Sequence, residues 1–117
     1  MSLDSSQASG PRASAPRSVV VTLPDEVDTV NVCQVREMLL GQVSDGVAVL
    51  VADATETTFF GASGITALIS ADRQARRAGA QFRLAASPPV QRILALTGAD
   101  LLLDIYASLS EALDGRS

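Results

Sequence analysis

The sequence predicts an α/β domain in which a mostly parallel sheet of four to five strands carries helices packed against it. β-Branched apolar runs alternate along the chain with segments whose apolar residues recur at helical spacing. One run, residues 47–52, is apolar without alternation, which is typical of a strand covered on both faces. Strands that alternate with helices in this way imply right-handed crossovers and therefore a parallel sheet.

Turn and cap residues separate the predicted elements. Proline ends the first strand, and glycine follows the long helix and the helix after it. The elements predicted in order are strand 18–23, helix 31–42, strand 47–52 after a turn at 44–46, a long helix ending at Gly79, strand 81–85, helix 87–98, strand 101–106 and a short helix 108–115.

Side-chain caps mark three of the predicted helix starts. Asn31, with Gln34 three residues later, precedes the first helix, and Ser108 with Glu111 forms a capping box before the last one. Ser87 is followed by proline, which is favoured in the first turn of a helix. These signals predict where the loops end and the helices begin.

The domain organisation is simple. Residues 1–17 are rich in Ser, Ala, Pro and Gly and lack apolar periodicity, so we expect a disordered leader before a single domain at 18–115. No apolar run approaches the roughly 20 residues that a membrane span needs, and no secretory signal is present. We therefore expect a cytoplasmic protein without direct membrane insertion.

Composition argues against several classes of function. The 117 residues include no histidine and no lysine, so the sequence offers no general base for a serine nucleophile. The single cysteine, Cys33, cannot form an internal disulfide or a metal site, and we expect a small core residue there. No phosphate-binding loop ending in Lys-Ser/Thr is present. We therefore predict no enzyme, no metal and no cofactor.

Charge argues against nonspecific nucleic-acid binding. The net charge is -4, and all nine basic residues are arginines. Arg73, Arg76 and Arg77 gather on one side of the long helix, where we expect a solvated face.

The expected functional edge of the domain lies at the carboxyl ends of the parallel strands, where loops 24–31, 53–63 and 86–89 should cluster. The second of these loops enters the long helix through Gly61-Ala62-Ser63-Gly64. A helix start presents unpaired N–H groups, and small side chains leave it open to an anion or to another protein. The structural alternative is that Ser63 caps the helix and Gly64 serves packing.

A series of short motifs shared with one family runs from about Val19 to Leu113, and their order and spacing are more specific than any one of them. The ordered chain resembles the STAS domain, the module of bacterial anti-sigma factor antagonists and of sulfate-transporter tails. The motifs are Asp25-Glu26-Val27-Asp28, Asp53, Phe59-Phe60-Gly61-Ala62-Ser63-Gly64, Gly79, Ser87-Pro88-Pro89-Val90 and Leu96-Thr97-Gly98.

The resemblance implies a partner-docking surface at the start of the long helix. Its family-matched residues are Asp28, Asp53, Phe60, Gly61, Ala62, Ser63 and Gly64. In the family, the first serine of Asp-Ser-Ser-Gly is phosphorylated by an ATP-dependent anti-sigma kinase, and the phosphate ends binding. Here that position is Ala62, which has no hydroxyl, and the preceding aspartate is Gly61. Ser63, one residue onward, is the alternative acceptor, although it is rotated about 100° around the helix.

The resemblance therefore implies a non-enzymatic antagonist that binds a kinase-type anti-sigma factor and releases a sigma factor, without the usual phosphorylation switch. The alternative within the same fold is an accessory STAS subunit of a membrane lipid-transport ATPase, or a scaffold of a signalling assembly. Asp28 could equally serve only its own turn. The sequence leaves the oligomeric state open.

Overall fold

The computed structural model describes residues 17–43 and 46–115. Most of the predicted leader and the turn at 44–45 lie outside these ranges, and Arg17 is the first residue of a strand. The elements are β1 Arg17–Thr22, β2 Glu26–Val27, α1 Val32–Leu40, β3 Val47–Ala54, β4 Phe59–Phe60, α2 Ala62–Arg77, β5 Gln81–Ala86, α3 Pro88–Thr97, a 3-10 helix Ala99–Leu101, β6 Asp104–Tyr106 and α4 Leu109–Asp114.

The main sheet has four strands in the order β1-β3-β5-β6, and every neighbouring pair is parallel. β3 occupies the centre, which explains its continuous apolar sequence, since both of its faces are covered. The predicted α/β class and parallel sheet are thus confirmed. A second, two-stranded parallel sheet joins β2 to β4 and was not predicted.

The two faces of the main sheet are covered unequally. Helices α1, α2 and α3 pack on one face and bury the larger core, which includes Leu39, Leu50, Leu68 and Leu94. On the other face, α4 is the one helix of the described residues that packs on the sheet, and it covers a small cluster around Val51. Most of the buried apolar contacts of the sheet therefore lie on one of its faces.

Two local predictions about these elements are corrected by the structure. Residues 101–103 do not belong to the last strand, because Gly98 adopts a left-handed conformation (φ 79°) and turns α3 into the 3-10 helix before β6 begins at Asp104. Cys33 is exposed and is not a core residue. Its position lies about 200° around α1 from the buried Val35, so the helix points it away from the sheet.

Several predicted boundaries are confirmed. The Ser87 hydroxyl accepts a hydrogen bond from the Val90 N–H at 3.4 Å, and the Ser108 hydroxyl accepts one from the Glu111 N–H at 3.1 Å. The three clustered arginines of α2 are exposed, as expected of a solvated face.

Candidate partner-docking site

The loops after β1, β3 and β5 meet at the carboxyl edge of the main sheet, as the parallel topology predicts. A fully buried Thr57 joins them: its hydroxyl donates to the carbonyl oxygen of Pro24 at 2.7 Å, and its own carbonyl accepts from the Ser87 hydroxyl. Because buried polar groups are costly unless paired, this node holds the three loops in one arrangement.

Asp28 shapes the turn between β2 and α1. Its Oδ1 accepts from the backbone N–H groups of Val30 at 2.9 Å and Asn31 at 3.3 Å. Asn31 returns the contact by accepting from the Asp28 N–H at 3.0 Å, and it donates to the Glu26 carbonyl at 2.7 Å. Asn31 makes no side-chain cap to α1, so the predicted capping role is wrong. Its amide is instead committed to the acidic turn.

Asp53 lies at the end of β3 and is half-buried. Its Oδ1 accepts from the N–H of Thr55 at 3.0 Å and from the Thr55 hydroxyl at 2.6 Å. The carboxylate therefore supports the first turn of the loop that leads to β4 and α2.

The short β2–β4 pair brings the acidic turn beside the start of α2. Glu26 pairs with Phe59 and Val27 with Phe60, and the Gly61 N–H donates to the Val27 carbonyl at 2.8 Å. Gly61 is the N-cap residue of α2, with φ -77° and ψ 173°. Two segments that are far apart in sequence thus form one continuous surface.

The first turn of α2 has no side-chain cap. Ala62, its first residue, is exposed. Ser63 comes second, and its hydroxyl oxygen is buried without a hydrogen-bond partner among the described residues, so the structural alternative in which Ser63 caps the helix is wrong. The N–H groups at the helix start carry a partial positive charge and are left for solvent or a ligand.

Gly64 and Phe60 lie beneath this surface. A Cβ atom on Gly64 would lie 2.8 Å from Phe60 Cδ1 and 2.8 Å from Val27 Cγ1, closer than side-chain carbons pack. Phe60 is 2% exposed and Val27 is fully buried. Glycine is required at residue 64 because α2 approaches the β2–β4 pair so closely. Gly64 and Phe60 therefore support the surface from inside the domain.

Two exposed apolar residues that were not among the predicted site residues lie in the same two segments. Val30, in the Asp28 turn, is 90% exposed, and Phe59, on β4, is 46% exposed. The Phe59 ring lies 3.7 Å from the position that a Cβ on Gly61 would take. We call Asp28, Val30, Phe59, Gly61 and Ala62 the docking surface.

A groove between α1 and α2 adjoins the docking surface. Its volume is about 350 Å³, and its lining residues are Val32, Arg36, Ser63, Thr66, Ala67 and Ser70. The only charged residue in this lining is Arg36. Within residues 17–43 and 46–115, no group of three or more His, Cys, Asp or Glu side chains could hold a metal ion.

The fold and this edge define a small parallel α/β domain with an open helix start that is flanked by an acidic turn. The chain belongs to the STAS family, because the family model described as "STAS domain" matches residues 11–112. The resemblance stated from the sequence motifs is thereby confirmed.

Relatives and solved structures agree with this assignment. Osmosensory protein A of Mycobacterium tuberculosis is 38% identical over 73 residues, which are 62% of this chain and 46% of that protein, so the match spans about half of the relative. An anti-sigma factor antagonist from Mycobacterium paratuberculosis superposes with a TM-score of 0.76 at 25% identity, covering 87% of each chain. Unphosphorylated SpoIIAA, an anti-sigma factor antagonist, superposes with a TM-score of 0.67 at 20% identity over 89% of this chain and 91% of its own.

Among the described residues, no helix combines the length and the apolar character that crossing a membrane requires.

Proposed function

We propose that the chain is an anti-sigma factor antagonist: it binds an anti-sigma factor of the ATP-dependent kinase type and thereby releases a sigma factor. The observation that carries this proposal is the open start of α2, with exposed Ala62 beside the Asp28 turn, in a fold similar to that of an anti-sigma factor antagonist over 87% of its length. In this proposal the protein acts in the cytoplasm, by binding its partner and without catalysing a reaction.

The docking surface suits a protein partner. It combines exposed apolar side chains at Val30 and Phe59 with the unpaired N–H groups of the first turn of α2. Apolar contacts with a few hydrogen bonds to backbone groups are the usual content of a protein interface. Small residues at 61 and 62 let a partner approach that backbone closely.

We further propose that this docking surface has no covalent off-switch. Ala62 cannot accept a phosphoryl group, which adds roughly -1.5 to -2 charge where it forms. Ser63 is a poor substitute, because its hydroxyl oxygen is buried and a kinase must reach the oxygen that it phosphorylates. The protein would therefore keep its partner in the presence of ATP.

The first experiment identifies the partner. Affinity capture from the native cell, with mass-spectrometric identification, should recover a soluble anti-sigma kinase. Recovery of only an ATPase and other membrane transport components would favour the accessory-subunit alternative and would contradict the antagonist proposal. The recovered kinase is then purified for the binding measurements.

The second experiment tests the surface with a charge. Ala62→Glu should weaken binding to the purified anti-sigma factor by about 2 kcal/mol or more, a factor of about 30 in Kd, since an unpaired charge enters a desolvated contact. Ala78→Glu is the matched control, because Ala78 is exposed at the opposite end of α2. Thermal unfolding should be nearly unchanged in both variants. Equal affinities for the two variants would move the interface elsewhere.

The third experiment restores the family switch. Gly61→Asp fits the structure, because a Cβ there meets its nearest atoms at 3.7 Å or more and φ is -77°. With kinase and ATP, the natural chain should remain unmodified and bound. Gly61→Asp combined with Ala62→Ser should accept phosphate at residue 62 and should lose binding when ATP is added. Stoichiometric phosphorylation of the natural chain at Ser63 that abolishes binding would show a displaced switch.

A further inference from the structure

The groove between α1 and α2 carries charge of one sign. Arg36 is the charged residue of its lining, and the other lining side chains are uncharged. Arg73 lies seven residues after Thr66 of the lining and Arg77 seven after Ser70, so both continue the side of α2 that faces the groove. All three arginines are exposed. We call this groove, together with Arg73 and Arg77, the arginine groove.

The carboxylates of the two helices do not face these arginines. Among the described residues the one ion pair joins Asp72 to Arg76, so the arginine groove has no carboxylate partner there. Asp72 lies about 200° around α2 from Ser70, and Glu37 lies about 140° around α1 from Val32. Both acidic residues of the helices therefore point away from the groove. Its positive charge is left for an anion from outside the domain.

The arginine groove is continuous with the docking surface. Ser63 lines one end of the groove and follows Ala62, and Val32 of the lining donates its N–H to the Asp28 carbonyl at 2.9 Å. From Ser63 to Arg77 the axis of α2 rises about 21 Å. An extended segment of about six residues covers that length. A protein bound at the start of α2 therefore needs only a short segment to reach along the whole groove.

We propose that the arginine groove binds an acidic segment of the protein that occupies the docking surface. Guanidinium groups hold carboxylates with two parallel charge-assisted hydrogen bonds. A carboxylate between Arg73 and Arg77 also removes the repulsion between two like charges four residues apart on one helix. The identity of this partner rests on the proposed function, whereas the acidic character of the segment rests on the charges of the groove.

The charge of the whole chain favours a short acidic segment over a long polyanion. The net charge is -4, so the positive strip along α1 and α2 is local. A nucleic acid or an anionic membrane extends beyond the strip and meets the acidic remainder of the domain, which repels it. A segment of about six residues ends where the arginines end and avoids that repulsion.

A peptide titration followed by NMR tests the chemistry of the groove. In about 20 mM salt, a hexaglutamate peptide should shift the amide signals of residues 63–77 with a Kd on the order of 1 mM, and about 0.5 M salt should abolish the shifts. Hexaglutamine, which has the same length without charge, should have no effect. Arg36→Gln combined with Arg77→Gln should weaken peptide binding at least about tenfold.

The matched control for this double variant is Arg17→Gln combined with Arg92→Gln, because both arginines are exposed on other elements. Absence of shifts, or equal peptide affinities for the two double variants, would overturn the proposal. Tighter binding of a single-stranded polythymidine of about 30 nucleotides at the groove would assign it to nucleic acid. Dilution of the chain that moves the same signals would assign it to a second copy. Either result would also overturn the proposal.

The purified anti-sigma factor then tests whether its own acidic segment uses the groove. Arg36→Glu combined with Arg77→Glu should weaken its binding at least about tenfold, whereas Arg17→Glu combined with Arg92→Glu should leave it nearly unchanged. Equal affinities for these variants, with the natural chain binding normally, would overturn the acidic-segment proposal and leave the proposed function intact. A natural chain that binds no anti-sigma factor but passes the peptide titration would overturn the proposed function alone.

Discussion

Gly64→Ala is the most direct test of the close approach between α2 and the β2–β4 pair. The substitution adds a single methyl group, and that methyl would lie 2.8 Å from both Phe60 Cδ1 and Val27 Cγ1. Neither neighbour has free space to move into, because both side chains are buried in the core. The helix must therefore shift outward, or the two side chains must leave their favoured rotamers.

The magnitude follows from two opposing effects. Overpacking a close-packed interior by one methyl costs about 1–3 kcal/mol. Alanine is favoured over glycine inside a helix by about 0.8–1.0 kcal/mol, which offsets part of that cost. The expected net loss in the free energy of unfolding is about 1 kcal/mol, corresponding to a decrease in Tm of about 4–8 °C for a domain of this size.

The assay is thermal unfolding followed by circular dichroism, with Gly61→Ser as the control. Residue 61 is three positions away, has space for a Cβ and is the helix N-cap, so serine there should leave the Tm unchanged or slightly higher. In a Val27→Ala background, Gly64→Ala should cost less, since one of the two atoms at 2.8 Å, Val27 Cγ1, has been removed. A Tm for Gly64→Ala at or above that of the natural chain, with no coupling to residue 27, would refute the steric explanation.

Three further substitutions test the supports of the fold. Thr57→Val removes the buried hydroxyl that donates to the Pro24 carbonyl at 2.7 Å, so it should lower the free energy of unfolding in urea by about 1–3 kcal/mol. The control, Thr58→Val at an exposed position, should lower it by less than about 0.5 kcal/mol. Equal unfolding midpoints for the two variants would contradict the role given to Thr57. Arg83→Met removes the guanidinium that donates to the carbonyls of Ala112 and Leu113 in α4 at 2.9 and 3.3 Å. Hydrogen exchange of the α4 amides should therefore accelerate while that of the β3 amides stays slow, and Arg73→Met, at an exposed position, is the control. Unchanged exchange rates in α4 would argue against this cap. Ser108→Ala should lower the free energy of unfolding by about 1 kcal/mol through the lost N-cap, and an unchanged value would show that α4 contributes little to global stability.

The sequence predicts the architecture well because apolar spacing is dictated by which faces are buried. The continuous run in β3 reflects cover on both sides, and the Ser87 and Ser108 caps reflect hydrogen bonds that are local in sequence. The same reasoning predicted that the loops gather at the carboxyl edge, and Thr57 and its partners confirm it. The parts predicted correctly are those that depend on neighbours within a few residues or on the burial of a whole face.

The parts that the sequence could not predict depend on contacts between distant residues. Two-residue strands such as β2 and β4 contain no periodic pattern, and each exists only because the other lies beside it. Asn31 has a side chain that can cap a helix, but its amide instead accepts from the Asp28 N–H and donates to the Glu26 carbonyl. Ser63 also has cap chemistry, yet Gly61 ends the extended segment two residues earlier and takes the N-cap position.

The β2–β4 pair has a consequence for anyone who wishes to imitate this surface with a short peptide. The hydrogen bonds that hold the two segments together join residues 33 positions apart, such as the Thr57 hydroxyl to the Pro24 carbonyl and the Thr58 N–H to the Asp25 carbonyl. A synthetic peptide of residues 53–64 carries most of the relevant side chains but lacks β2, the strand that holds β4 in place. A peptide that contained both strands without α1 and β3 between them would lose conformational entropy when its two ends were brought together. Inhibitors built on this edge should therefore start from a folded domain, in which the shape of the backbone is inherited along with its side chains.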